Sequence, residues 1–257
     1  MIMPKKLIWG WILCLLAAGP VWAQNAVVEF EGRYWFTNLS AETKLTQDGR
    51  GTDVNLKSDL GLADKDLPYG RLSVFINPRH RLTLNYTPIS YNVDTNLKRT
   101  LEFGGETYTI NNRVVADLKV QYFKLGWAYQ FVNLEGGKFK LGTLLEINGV
   151  QGDVALAAPD MASPIDNAWN FYAWLPTVGI ALDINPTTYL NFFAEFSGLP
   201  AGQYGTIWEA ETGIKVIPFK NFSISGGYRL LNIEARSDPD YAKVNLGGPF
   251  LGLSLRF

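Results

Sequence analysis

The last fourteen residues, Val244 to Phe257, read VNLGGPFLGLSLRF. Leu251, Leu253, Leu255 and Phe257 alternate with Gly252, Ser254 and Arg256, and the chain stops on the aromatic. Successive strand side chains point to opposite faces, so this segment reads as a strand with one oily face and one small or polar face. A soluble domain rarely ends on an unpaired, outward Phe. A strand that closes a sheet inside a membrane has reason to.

The opposite end points to the same compartment. Lys5 and Lys6 precede a short apolar run, Leu7 to Ala18, followed by Gly19-Pro20 and the small-residue site Val21-Trp22-Ala23. This is the layout of a secretory signal peptide, with cleavage expected after Ala23 and a mature domain from residue 24 to 257. The run is too short for a membrane helix, which needs roughly 20 residues. Cys14 is the only cysteine, and Leu13 before it argues against a lipoprotein site. The mature chain therefore has no thiol chemistry and no Cys-based metal site. Without Lys5 and Lys6 it carries 21 basic and 24 acidic residues, a net charge of −3. No concentrated basic patch suggests nucleic acid.

Between the two ends, ten alternating segments are expected as strands. Val27–Asn38 places Val28, Phe30, Tyr34 and Phe36 on one face and Glu29, Glu31, Arg33 and Trp35 on the other. Leu39 to Leu67 follows as a long polar stretch, expected as a solvated external loop. Tyr69–Ile76 presents Arg71 and Ser73 opposite Leu72 and Val74. A strand ending at Phe131 sets Phe123, Leu125, Trp127 and Tyr129 against Lys124, Gly126 and Gln130. Later strands carry Lys140, Glu146, Asp183, Glu195, Glu209, Glu211, Lys215 and Arg229 on their polar faces. Turns near residues 78, 135, 186 and 219 are short, while the loops between them are mostly longer and more polar.

A sheet can span hydrocarbon only if it closes, because every backbone N–H and C=O must be paired. Short periplasmic turns, longer extracellular loops and aromatics near strand ends fit such a barrel. The alternation predicts an all-β, closed, antiparallel up-and-down transmembrane barrel of ten strands, with eight or twelve left open. On the signal peptide, the strand rhythm and Leu251-x-Leu253-x-Leu255-x-Phe257, the chain resembles small outer-membrane β-barrel proteins of Gram-negative bacteria. That resemblance implies an integral outer-membrane location with both termini periplasmic, and lipid and lipopolysaccharide as surroundings. It also implies that Leu251, Leu253, Leu255 and Phe257 form the signal read by the barrel-assembly machinery.

Chemistry is sparse. The only histidine, His80, lies at a short turn, and no nucleophile elbow or metal-binding spacing appears. No cofactor is expected. The main constellation is an inward charge network of Glu29, Glu31, Arg33, Arg71, Lys124, Lys140, Glu146, Asp183, Glu195, Glu209, Glu211, Lys215, Arg229 and Arg256. Opposite charges on neighbouring strands would pair, since a buried charge must be paired or hydrated. The expected function is non-enzymatic: a structural or surface role, or a narrow porin-like channel for small solutes. The alternative is an enzyme acting on lipid or peptide through lumen or rim carboxylates such as Glu209 and Glu211. Asp48, Asp53, Asp59, Asp64 and Asp66 in the long polar stretch suggest solvation before calcium, because their spacing matches no EF-hand loop.

Overall fold

The computed structural model describes residues 26–161, 163–200 and 202–257. The expected signal peptide, with Cys14, lies outside the described residues.

Strands β1 (Val27–Trp35) and β2 (Asn38–Lys44) run in one register, followed by the short β3 (Val54–Asn55). β4 (Leu67–Asn77) and β5 (His80–Asn96) form the next hairpin. A small separate hairpin follows, β6 (Leu101–Phe103) with β7 (Glu106–Tyr108). The wall then continues through β8 (Arg113–Leu134), β9 (Phe139–Ala158), β10 (Ile165–Thr187), β11 (Leu190–Pro200), β12 (Gly205–Phe219), β13 (Phe222–Ser237) and β14 (Asp240–Arg256). Every pairing is antiparallel between sequential wall strands, and β14 returns to β1 from Glu29↔Arg256 to Trp35↔Phe250. The closed wall therefore has ten strands if β1 and β2 are taken as one.

That continuity is visible in the pairing, since β14 carries on from Phe250 opposite β1 to Gly247 and Tyr241 opposite β2. Gly248 sits where the two halves meet. A Cβ there would lie 1.8 Å from the Phe36 carbonyl oxygen, so no other residue fits without moving the backbone. The close approach also lets Trp35 Nε1 donate to the Gly248 carbonyl at 3.1 Å.

In the half nearer the short turns, the sequence alternation lies as expected. Phe30, Leu84, Leu125, Ile180, Phe196, Leu251, Leu253, Leu255 and Phe257 face outward and are exposed, while Glu31, Arg71, Lys124, Glu209 and Ser254 face inward and are buried. An outward apolar band with an inward polar face is the arrangement of a barrel in lipid. Phe257 closes the seam edge-on against Phe30, with centroids 6.4 Å apart.

Further up, the pattern inverts. On β8 the apolar residues move from the outward positions Phe123 and Leu125 to the inward positions Val114 and Tyr122, both buried, while Gln121 and Lys119 turn outward and are exposed. β13 changes from outward Ile224 and Leu230 to inward Leu231, and β14 from outward Leu251 to inward Leu246. A main apolar cluster lines this upper interior, including Leu39, Tyr91, Leu156, Leu231 and Leu246. The strands are also longer than a membrane requires: β8 has 22 residues and β10 has 23, against about 9–11 for a tilted crossing.

Two expectations change here. The stretch from Leu39 to Leu67 is not a solvated loop, for Leu39, Ala41, Val54, Leu60, Leu62 and Leu67 are all buried. It extends the wall as β2, folds back as β3, and then crosses the barrel mouth. Its apolar residues were hidden among Asp, Lys and Gly because they follow no strand or helix period. Of the five upper connections, only 45–66 and 97–112 are long; 159–164, 201–204 and 238–239 are short, because strands have taken up their polar flanks.

Candidate functional site

The barrel interior consists of three stacked zones. At the short-turn end a polar vestibule of about 760 Å³ is lined by groups including Glu29, Arg79, Lys140, Asp183 and Asn191. β1 and β14 place Glu29 beside Arg256, whose Nη2 lies 2.7 Å from Glu29 Oε2, while Lys215 Nζ approaches Glu29 Oε1 at 2.6 Å. Lys140 and Asp183 face each other across β9 and β10, but no ion pair joins them; Asp183 instead accepts from Asn191 Nδ2 at 3.3 Å.

Above the vestibule is a floor of paired charges. Arg33 reaches Glu31 at 3.0 Å and Glu211 at 2.7 Å, and Arg71 lies 3.4 Å from both Glu195 and Glu211. Arg81, which the sequence reading omitted, also pairs with Glu195. A second cluster joins Lys124 to Glu146 at 3.2 Å and to Glu209 at 3.1 Å, with Arg229 3.0 Å from Glu209. Neutral groups add hydrogen bonds to these buried charges, although Arg229 Nη1 and Nη2 are buried without a hydrogen-bond partner among the described residues. Ser225 donates to Glu31 at 2.7 Å, Thr177 donates to Glu146 at 3.3 Å, and the single Tyr122 hydroxyl proton is shared between Asn148 Oδ1 at 2.7 Å and Glu209 Oε2 at 3.1 Å. Tyr69 donates to Asn85 at 2.8 Å.

Aromatic faces fill the gaps between the ions. The Arg229 guanidinium lies 4.5 Å from the ring centres of both Trp35 and Tyr69, and that of Arg33 lies 4.5 Å from Phe250. Such contacts stabilise a desolvated cation. Glu209 and Glu211, the carboxylate pair considered for catalysis, are divided between the two clusters, and each is held by cations. His80 lies on the outer surface, stacked on Trp127 at 5.7 Å and accepting its indole N–H at 3.2 Å.

The third zone, a chamber of about 640 Å³, lies above the floor and has an almost wholly apolar lining. Val93, Val114, Leu118, Leu156, Ile207 and Leu231 come from five strands of the wall. The chamber and the vestibule share no lining residue. Sequence reasoning missed the chamber because it followed one hydrophobic parity along each strand. The signal that marks it is the change of parity near Tyr122, Leu231 and Leu246.

Two segments roof the chamber. Hairpin β6–β7 buries Leu101 and Tyr108, and its Phe103 meets Trp169 of β10 at 5.6 Å, edge to face. The 54–66 segment brings Leu56, Leu60 and Leu62 to the lining. Arg99 clasps the two together: its Nε lies 3.0 Å and its Nη2 2.6 Å from the Asp59 carboxylate, and Nη2 also donates to the Asp53 carbonyl at 2.5 Å. The Arg99 hydrogen bonds hold the Asp59 carboxyl below its usual range. Asp64 is likewise held down, by Lys57 at 2.7 Å and by the Leu39 amide. Of the five aspartates only Asp59 is buried; it and Asp64 fasten the roof, while Asp48, Asp53, Asp64 and Asp66 are exposed as expected.

No family model matches the sequence, and no curated protein matches it. Among solved structures, the outer membrane protease OmpT from Escherichia coli aligns over 93% of this chain and 99% of its own, with a TM-score of 0.58 and 8% identity. OprG from Pseudomonas aeruginosa aligns over 90% and 95%, with a TM-score of 0.39 and 10% identity. Ail from Yersinia pestis aligns over 90% and 99%, with a TM-score of 0.36 and 12% identity. The molecule is a closed up-and-down transmembrane β-barrel. Its fold is that of the Gram-negative outer-membrane β-barrel proteins.

Proposed function

We propose that this protein is an integral outer-membrane protein, non-enzymatic, that holds a small hydrophobic molecule in its upper chamber. In this reading the termini are periplasmic, the apolar band lies against lipid and lipopolysaccharide, and the C-terminal strand engages the assembly machinery. The observation that carries the reading is the apolar, roofed chamber above a floor of paired charges. Its volume falls within the roughly 300–1,000 Å³ of small-molecule sites, although its lining has fewer polar groups than such sites use for orientation. Recognition by shape and apolar contact follows, at about 0.8 kcal/mol for each methylene buried.

The floor also argues against an open solute channel. Its carboxylates and cations are paired with one another and leave no shared lining between the cavities. The enzyme alternative lacks support from Glu209 and Glu211, since each is held by two cations.

The test uses the full barrel in phospholipid nanodiscs with the apolar probe N-phenyl-1-naphthylamine. Saturable binding is expected, with Leu118→Trp, which fills the chamber, weakening it at least tenfold while the heat-shifted gel band stays folded. Equal binding by both proteins would refute the chamber reading. Planar bilayers should show no stepwise conductance from the wild type, and steady ion current at modest voltage would restore the channel reading.

A further inference from the structure

The ladder that closes the wall is interrupted above Gly70↔Tyr86, where β5 outlasts β4 beside the roof segment, and again where β10 outlasts β11. β10 pairs with β9 along nearly its whole length, from Ile165↔Ala158 to Ile184↔Phe139. Its other edge pairs with β11 only from Val178 downward. β11 ends at Pro200 and the chain returns as β12 from Gly205, so these two strands stop well below the top of β10. Among the described residues, nothing pairs with the β10 edge between residues 165 and 177. The result is a notch in the wall above the β11–β12 hairpin.

The notch communicates with the chamber. Ala173 and Leu175 on β10, Leu199 at the end of β11, and Thr206 and Ile207 at the start of β12 all line the apolar cavity. So does Tyr172, although it is 80% exposed on the outward face. The cavity therefore reaches the wall at the foot of the notch.

The outer surface beside the notch is also unusual. Just above the apolar band, outward positions on β8 and β9 are the polar Gln121, Gln151 and Asp153, with Val115 and Ala155 beyond them. On β10 the outward positions at that height are Trp174, 66% exposed, and Tyr172, which lies opposite Gln151. Aromatic residues with an apolar body and a polar tip suit a membrane–water interface. They extend the oily surface from the band to the lip of the notch. The free β10 edge must itself lie at or above this interface, since hydrocarbon cannot satisfy its N–H and C=O groups.

Resting on the chamber reading above, we propose that the notch is a lateral portal through which an unbranched acyl chain passes between the outer leaflet and the chamber. The roof blocks the axial route with Leu60, Leu62, Leu97, Leu101 and Tyr108, all buried. The paired floor blocks the route from below. An acyl chain entering through the notch keeps its methylenes in apolar surroundings throughout, while its head group stays at the interface beside Thr206.

The experiment is stopped-flow loading of the full barrel in phosphatidylcholine vesicles, read by energy transfer from the protein's tryptophans to a linear polyene fatty acid, cis-parinaric acid. A parallel arm uses parinaroyl-lysophosphatidylcholine to distinguish a lipid-borne chain from a free one. Saturable loading is expected, with Ala173→Trp slowing it at least tenfold and Thr206→Trp, on the other lip, doing the same. The second variant keeps the test valid if the first fails to fold. Saturable loading that both variants leave at the wild-type rate would overturn the portal and leave the chamber reading intact. If neither probe loads wild type while N-phenyl-1-naphthylamine still binds, the acyl-chain assignment is wrong. If none of the three binds, the chamber reading itself falls, and the portal with it.

Discussion

The lower and upper halves of this barrel are built from the same strands with opposite polarity. Below the girdle, β14 turns Leu251, Leu253 and Leu255 outward and Gly252 and Ser254 inward; above it, Leu246 turns inward to the chamber. The lower half is stabilised by lipid outside and by ion pairs within. The upper half has water outside and an oil-like interior, as in a soluble barrel. One backbone ladder serves both because alternation sets only which residues share a face. The solvent on each side determines which face is apolar.

Breaking the lower half should have the largest effect. Arg33→Met leaves Glu31 and Glu211 buried without their nearest cation, and removing one partner of a buried pair typically costs about 3–5 kcal/mol. Urea titration of the barrel in micelles should show that loss. Adding Glu211→Leu should recover part of it by removing one of the two carboxylates that Arg33 served; Glu31 then keeps Lys215 at 3.9 Å and Arg71 keeps Glu195. If the single variant unfolds at the wild-type midpoint, the floor is not the closed, dry layer described here.

A second comparison tests the inversion of polarity directly. Leu253→Arg places a charge on the lipid face, at roughly 2–4 kcal/mol near the bilayer midplane. Gln121→Arg, outward on β8 above the girdle, should change stability by no more than about 0.5 kcal/mol, as ordinary surface substitutions do. Equal penalties at the two sites would mean that the apolar band continues upward and the boundary is misplaced.

The smallest effect concerns the roof. Arg99 holds the Asp59 carboxyl below the ordinary aspartate value of about 3.9. The clasp's contribution is therefore fully present above that ordinary value, and it is lost as pH falls through the lower, folded-state value. Being partly exposed, it should contribute only about 0.2–1 kcal/mol. Amide protection over residues 54–66, relative to the intrinsic exchange rate, should fall slightly as pH drops below the ordinary aspartate value, and Asp59→Asn should show the same loss of protection at pH 7. If exchange in the variant matches wild type at pH 7, the clasp does not hold the roof.

Much of the lower half was legible from single strands. Glu29 and Arg256 share a seam because the first and last strands must meet, and their inward parity follows from Phe30 and Leu255 facing out. Arg81 was missed because it opens its strand beside a turn, where alternation is weakest, and only the curvature of the wall brings it to Glu195. The roof was illegible for another reason. Val54, Leu60 and Leu62 are scattered through a polar stretch, and their burial depends on a barrel mouth of matching width.

Period-two alternation, the closing aromatic strand and the balance of inward charges establish a transmembrane barrel, since each is a property of one strand and its immediate solvent. The chamber, its roof and the notch depend on strands far apart in the chain. They arise where β10 outlasts β11, where β2 outlasts β4, and where residues 54–66 cross the mouth. The relative heights of neighbouring strands are set by register around the whole closed sheet. No single stretch of sequence contains that register, so only the tertiary structure could show that the barrel continues above the membrane with its polarity reversed.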